Sequence, residues 1–294
     1  MPELPEVETV CRGLAPVMAG ATFTHVEARR PDLRFPFPDN FAARLLGAHV
    51  TGVGRRAKYV LVRLSTGEVL IMHLGMSGRF SIHLPDGRGG VLGEYEQATG
   101  NDPAHDHVVF EMSHGARITY NDPRRFGLMD ICADADLDRH RLIAGLGVEP
   151  LGNGLSAAYL AERAQGKSTD LKAFLLDQRI IAGLGNIYVC EALFRARLSP
   201  RRSASCLTTA RGRPTGRGEL LVPVIRSVLT EAIEAGGSTL RDYKHTDGTL
   251  GYFQHAFRVY GREGESCVTP KCGRTIARIV QAGRSTFFCP RCQG

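Results

Sequence analysis

Leu4, Val7, Val10, Cys11, Leu14 and Met18 recur at three- and four-residue spacing, so the chain opens on an amphipathic helix. From Ala21 to about Cys132 the apolar period shortens to that of strands, in ATFTHVEARR, KYVLVRLSTGEVLIMHLGMSGRFSIHL and HVVFEMSHGARITY. Turns such as Ser65-Thr66-Gly67 and His114-Gly115 punctuate these runs and predict hairpins stacked as a sandwich or barrel. Between Leu84 and His105 the segment PDGRGGVLGEYEQATGNDPA is rich in glycine and polar residues and reads as a long loop. ADADLDRHRLIAGLGVEPLGNG reads as a linker, and beyond it the period becomes helical. Leu155 to Ala164 is one helix, and TDLKAFLLDQ is another, with Ser168 or Thr169 as N-cap. The glycine turn IAGLG then leads into NIYVCEALFRA. A longer helix runs through ELLVPVIRSVLTEAIEA and stops at Gly236-Gly237; Pro223 kinks it or marks its first turns. Near the end, RTIARIVQAGRSTFF reads as strand, turn at Ala282-Gly283 and strand, with Arg284 at the tip.

The pattern predicts an α+β chain of two domains. Residues 1–132 form a β-sandwich with an N-terminal helix and 133–150 a linker. Residues 151–236 form a helical domain, 237–262 a loop and connection, and 263–294 a hairpin. A length of 294 residues suits about two ordinary domains, each with its own core. No positive leader with an apolar core and no apolar run long enough to span a bilayer is visible, so a cytoplasmic protein is expected.

Charge narrows the class of partner. The formal net charge is +7 and the pI about 9.1, a balance that suits an anionic partner, nucleic acid first, or simply a basic enzyme. Arginine dominates; the lysines are 58, 167, 172, 244 and 271. Guanidinium suits forked phosphate contacts.

Cys11, Cys132, Cys190 and Cys206 are scattered and read as reduced, buried and inert. Cys267, Cys272, Cys289 and Cys292 form C-x4-C and C-x2-C knuckles flanking the predicted hairpin. That spacing indicates one tetrahedral, four-thiolate Zn2+. With no open ligand position, the zinc is expected to be structural.

The opening MPELPEVE raises a sharper possibility. Proline suits a helix start, because its missing N–H would be unpaired there. Removal of Met1 before Pro2, however, exposes a secondary amine. An α-amino group has a pKa near ~7.7–8, against ~10.4 for lysine, so it is partly unprotonated and nucleophilic at neutral pH. Glu3 would stand beside it as a proton donor. The glycine turn before Asn186 offers a helix N-terminus suited to an anion, although a plain helical hairpin would look the same. The GxG within GLGNIY has no preceding strand and no third glycine, so a dinucleotide fingerprint is not supported. His105 and His107 lack a nearby third ligand for a metal site.

These motifs together resemble the bacterial formamidopyrimidine-DNA glycosylase family, whose members are bifunctional 8-oxoguanine repair enzymes. The likeness is carried by PELPEVE, RRAKY around Lys58, HLGMSG around Met76, NDPRRFG around Phe126, GLGNIY, and GYFQHAFRVYGR followed by the cysteine hairpin. It implies a helix-two-turn-helix domain and a base-excision glycosylase/lyase acting on double-stranded DNA with oxidised purines or abasic sites. The amine of Pro2 would attack the sugar C1′, and Glu3 would help open the ring. Lys58 would act near the leaving base, Glu6 would hold the terminus, and the strand would be nicked by β,δ-elimination. Arg284, in the same catalytic set, would contact phosphate with His105, Arg125, Lys172 and Asn186. Met76, Arg124 and Phe126 match the family's wedge, with Arg124 facing the estranged cytosine. Ser238, Leu240, Arg241, Asp242 and Tyr243 match its lesion-reading segment. A monomer in the bacterial cytoplasm, associated with the nucleoid, is implied.

The chain departs from the family pattern in places. Ser168 stands where a basic residue is usual, the first knuckle is C-x4-C rather than C-x2-C, and the loop from Leu84 to His105 is longer. A chain retaining Met1 lacks the amine. Two alternatives are a related glycosylase for oxidised pyrimidines and a non-catalytic zinc-containing DNA-binding protein. PELPEVE and the complete wedge argue against the first, and the presence of Pro2, Glu3 and Lys58 together against the second.

Overall fold

The computed structural model describes residues 2–92, 102–237 and 256–294. Two compact units form: Met1–Ala144 with the stretch beginning at Ile233, and Gly145–Ala232 with the stretch from Phe253 onward.

The first unit opens with helix α1, Leu4–Met18, which buries Leu4, Val7, Val10, Cys11, Leu14 and Met18. A cap explains where it begins. The Glu3 side chain accepts from the Glu6 backbone, and Glu6 Oε2 accepts from the Glu3 N–H at 2.8 Å. This reciprocal capping satisfies two N–H groups that a helix start otherwise leaves unpaired. The proline within the first turn is Pro5; Pro2 precedes the cap and lies outside the helix.

Two antiparallel sheets follow. One has the order β1-β7-β8-β5-β6, built from Phe23–Ala28, Asp106–Met112, Arg117–Asn121, Arg79–His83 and Gly89–Leu92. The other is β2-β3-β4-β9, from Val50–Arg56, Tyr59–Leu64, Glu68–His73 and Leu128–Ala133. Inward residues of both sheets, among them Phe23, Phe80 and Phe110 from one and Val60, Val62 and Leu70 from the other, share a single core with α1. This is the sandwich that the alternating pattern predicts. A short helix α2, Phe41–Leu45, packs beside β1. The Leu84–His105 segment is not all loop: Gly89–Leu92 adds an edge strand to β5, and Leu92 packs against Gly13 of α1. Its glycine content hides this strand from a propensity reading.

In the second unit α3 is Ala157–Ala164, α4 Leu171–Leu176, α5 Asn186–Arg195 and α6 Gly216–Glu234, with Pro223 inside α6. The N-cap of α4 is Asp170, whose carboxylate accepts from the Ala173 N–H at 2.7 Å, rather than Ser168 or Thr169. Glu191 on α5 is fully buried and accepts the N–H groups of Arg258, Val259 and Tyr260 at 2.9–3.1 Å. It thereby anchors the chain leading into the terminal hairpin. That hairpin pairs β10, Ala277–Gln281, with β11, Arg284–Phe288. The turn residues Ala282 and Gly283 both have positive φ, 48° and 71°, the geometry of a two-residue hairpin turn.

Candidate active site and nucleic-acid interface

Helix α1 is tied to the β2–β3 hairpin by side chains as well as by its apolar face. Arg55 Nε donates to Glu8 Oε2 at 3.1 Å, and its Nη1 donates to the Ala57 carbonyl at 2.8 Å. Cys11 Sγ donates to the Gly54 carbonyl at 3.2 Å. Ala57 and Lys58 form the two-residue turn between β2 and β3, with Ala57 held at φ 52°. Arg55 therefore links the helix that begins beside Pro2 to the turn that carries Lys58. Pro2 is buried, and Glu3, Glu6 and Lys58 are only 3%, 3% and 7% exposed. Lys58 is therefore not a solvated surface lysine, although it stands in a turn between two strands. A sequence scan passes over Arg55 because a second arginine in RRAKY reads as one more surface charge. Replacing Arg55 with Met is expected to lower single-turnover base release about 10-fold, because small misplacements of reacting groups are costly. DNA affinity should stay within about 2-fold, as comparison of single-turnover rates with equilibrium binding will show.

His73 ends β4 opposite Tyr59, with ring centroids 5.0 Å apart. Burial, and then the charges of Lys58 and Arg34, push its pKa down to about 4. It is therefore neutral at pH 7, and its Nδ1 accepts the Gly75 N–H at 3.0 Å, which leaves the proton on Nε2. The unfolded value is 6.5 and the folded value lower, so the native state binds fewer protons across that interval. His73 therefore contributes stability that is present above pH 6.5 and lost as pH falls towards 4. A His73→Gln variant should lack this part of the acid dependence, measured as melting temperature against pH.

The Gly75 turn carries Met76. Gly75 has φ +64°, and a Cβ on it would lie 2.3 Å from the Phe126 carbonyl carbon, so glycine lets this turn press against the NDPRRFG loop. Asp122, with no exposed surface, joins the two segments. Its Oδ1 accepts from Ser77 Oγ at 2.5 Å and its Oδ2 from the Gly127 N–H at 2.8 Å, while Ser77 Oγ accepts from the Arg124 N–H. This buried carboxylate holds Met76, Arg124 and Phe126 together. Phe126 is 45% exposed, with the Arg124 guanidinium 4.9 Å from its ring centroid. Arg125 is exposed in the left-handed region at φ 54°, and half-buried His105 ends the turn that leads into β7.

In the second unit the expected phosphate residues converge on one strand. Exposed Arg284 begins β11 beside the hairpin turn. Asn186 Nδ2 and Lys172 Nζ both donate to the Ser285 carbonyl at 3.0 Å, and Lys172 Nζ also donates to Thr286 Oγ1 at 2.6 Å. Lys172 has no exposed surface, so it acts on the residues that follow Arg284 rather than facing solvent. Asn186 Oδ1 is buried without a hydrogen-bond partner among the described residues. Ser238, Leu240, Arg241, Asp242 and Tyr243 lie outside the described residues. Gly237, immediately before them, has φ +90° and a Cβ position 3.3 Å from Glu6, so a side chain there would strain the backbone and press on the capping acid.

The metal centre is well defined. The sulfurs of Cys267, Cys272, Cys289 and Cys292 lie within 4.8 Å of one another, with Cys267–Cys292, Cys272–Cys289 and Cys272–Cys292 at 3.8, 3.6 and 3.5 Å. Tetrahedral zinc with bonds of ~2.3 Å spaces its sulfurs by about 3.8 Å. Four thiolates at these separations fit one structural zinc. The scattered thiols differ. Burial pushes Cys11 up to about 12 and raises Cys132 and Cys206, so these thiols stay protonated and unreactive at neutral pH.

A capped helix beginning just after a buried proline near the N-terminus, two loops joined by a buried aspartate, a helix pair and a four-cysteine hairpin together define a DNA-repair glycosylase. Residues 1–129 match the formamidopyrimidine-DNA glycosylase N-terminal domain, 146–244 its H2TH domain, and 264–294 a zinc finger found in FPG and IleRS. The chain belongs to the formamidopyrimidine-DNA glycosylase family. It is 60% identical to formamidopyrimidine-DNA glycosylase of Bradyrhizobium diazoefficiens over all of both chains. It is 62% identical to that of Beijerinckia indica, again over all of both. A Lactococcus lactis Fpg complex with abasic-site DNA superposes with TM-score 0.82 at 31% identity, covering 99% of each chain. A complex of a variant of that protein with Fapy-dG DNA gives the same TM-score, identity and coverage.

Proposed function

We propose that, once Met1 is removed, the chain excises oxidised purines from duplex DNA through the Pro2 amine. The observation that carries this reading is the placement of Pro2. It lies before the N-cap residue, outside the helix, and is buried. A helix N-terminus disfavours a nearby positive charge, so the free-base amine is favoured there. The amine forms a bond to C1′ as the glycosidic C1′–N bond breaks, with its electron pair leaving on the base, which takes up the proton that the Pro2 nitrogen gives off. A proton delivered by Glu3 to the ring oxygen opens the sugar and leaves an iminium on Pro2. The iminium acidifies the C2′ proton; its removal expels the 3′ phosphate, and a second elimination expels the 5′ phosphate. Lys58, enclosed in its hairpin turn, supplies the positive charge beside the leaving base.

Extruding the base costs a few kcal/mol. In this reading Met76 and Phe126 fill the gap, Arg124 faces the orphaned cytosine, and Ser238–Tyr243 reads the lesion. Arg284, Asn186, His105 and Arg125 contact phosphates, Lys172 acting through the Ser285 carbonyl. The enzyme works as a monomer on nucleoid DNA in the cytoplasm. Among the described residues no helix is long and apolar enough to cross a membrane.

The test is cleavage of matched duplexes carrying 8-oxoguanine, a formamidopyrimidine or thymine glycol. Faster release of the two purine lesions is expected. Preference for thymine glycol would move the chain to the oxidised-pyrimidine class, and binding without release would make it a non-catalytic DNA-binding protein.

A further inference from the structure

Phe35 and Phe126 are the exposed phenylalanines among the described residues, at 38% and 45%. Both carry arginine over the ring. Arg124 lies over Phe126, while Arg34 and Arg141 lie over Phe35 with their guanidinium carbons 5.5 and 5.2 Å from its centroid. The two groups are neighbours in the same unit: the Arg34 N–H donates to the carbonyl of Gly127, the residue after Phe126, at 3.0 Å. An exposed aromatic contributes nothing to the core, and its position against the wedge loop calls for another explanation.

We propose that Arg34 and Arg141, held by Phe35, form a further contact with the DNA phosphate backbone beside the wedge. Arg34 is exposed, and its guanidinium pairs with no carboxylate among the described residues. Arg141 donates to Asp130 at 2.9 Å, but Asp130 also faces His140 at 3.4 Å, and Arg141 remains 58% exposed. Both arginines are close enough to Tyr59 to lower its phenol pKa against the rise that burial causes. The patch therefore reaches towards the strand that follows Lys58. Two guanidiniums over the Phe35 ring leave it poorly placed to stack on a base, and the ring instead restricts two flexible cations. Pre-ordered, forked donors suit phosphate oxygens. This contact deepens the DNA-binding reading of the site and carries no base specificity.

The test is a salt titration of binding to undamaged and lesion-bearing duplexes. Arg34→Ala and Arg141→Ala are each expected to make the slope of log affinity against log salt shallower by about 1, and the double variant by about 2. The losses should be equal on both duplexes, leaving lesion preference unchanged. Arg139→Ala, in the same unit but 81% exposed and paired with Asp136, should leave the slope unaltered. Melting temperatures of all variants separate lost contacts from lost fold. An unchanged slope in the folded double variant, or a loss confined to lesion-bearing DNA, would overturn the proposal. The slopes are read from binding alone, so they remain informative if no duplex is cleaved and the catalytic reading fails.

Discussion

Protein that retains Met1, or that carries an uncleaved N-terminal extension, is expected to release no base and form no covalent adduct with lesion-bearing DNA. In that form the Pro2 nitrogen is an amide whose lone pair is delocalised into the carbonyl. Met1 still offers an α-amine, but about 3.8 Å further along the chain. A misplacement of 1 Å can cost about 100-fold, so a displacement of one residue should bring the reaction to background. Affinity for an undamaged duplex, set mainly by phosphate contacts, should fall less than about 3-fold. The control is an extension that a protease removes to leave Pro2 first; cutting it should restore activity in the same preparation. A blocked protein that still reacts at the normal rate would exclude Pro2.

Loss of zinc should have the second large effect. The hairpin has a small core of its own: Cys272 and Cys289 pack with Cys190, Phe194, Val259 and Ile276. Structural zinc contributes on the order of 10 kcal/mol in isolated finger peptides, and two members of this small cluster, Cys272 and Cys289, are themselves in the four-cysteine set. Cys289→Ser, or displacement of the metal by a mercurial, should unfold 263–294, release about one zinc per chain and weaken DNA binding at least 10-fold. The sandwich should keep its melting transition, because its core is built from different residues. Active protein with no zinc by metal analysis would contradict this account.

The apolar pattern was sufficient for the sandwich, α1 and the terminal hairpin, because each has a clear period and strong turn residues. It missed β6, whose Gly89 and Gly90 carry no strand propensity and whose place is fixed by pairing with β5 and by Leu92 against α1. It also shifted the α4 cap from Asp170 to its neighbours, since Ser168, Thr169 and Asp170 are all suitable caps and only tertiary placement decides between them. Pro2, Lys58 and the cysteine ligands were visible as residue types in short motifs. The groups that position them were not. Arg55 acts on a helix 47 residues away in sequence, and Ser77 reaches Asp122 across 45. Such links become visible only when β2 lies under α1 and the loops of Ser77 and Asp122 meet. Lys172 illustrates the converse: the motif marks it, but its burial against Ser285 and Thr286 is a property of the fold.

The central claim, that the N-terminal amine is the nucleophile, is tested most directly by borohydride reduction of the enzyme on a lesion-bearing duplex, followed by digestion and mass mapping of the cross-linked peptide. The account predicts a sugar fragment on the nitrogen of Pro2, in a peptide that begins PELPEVE, and no modification of Lys58. A fragment mapped to the Lys58 side chain, or efficient base release with no reducible adduct, would contradict it.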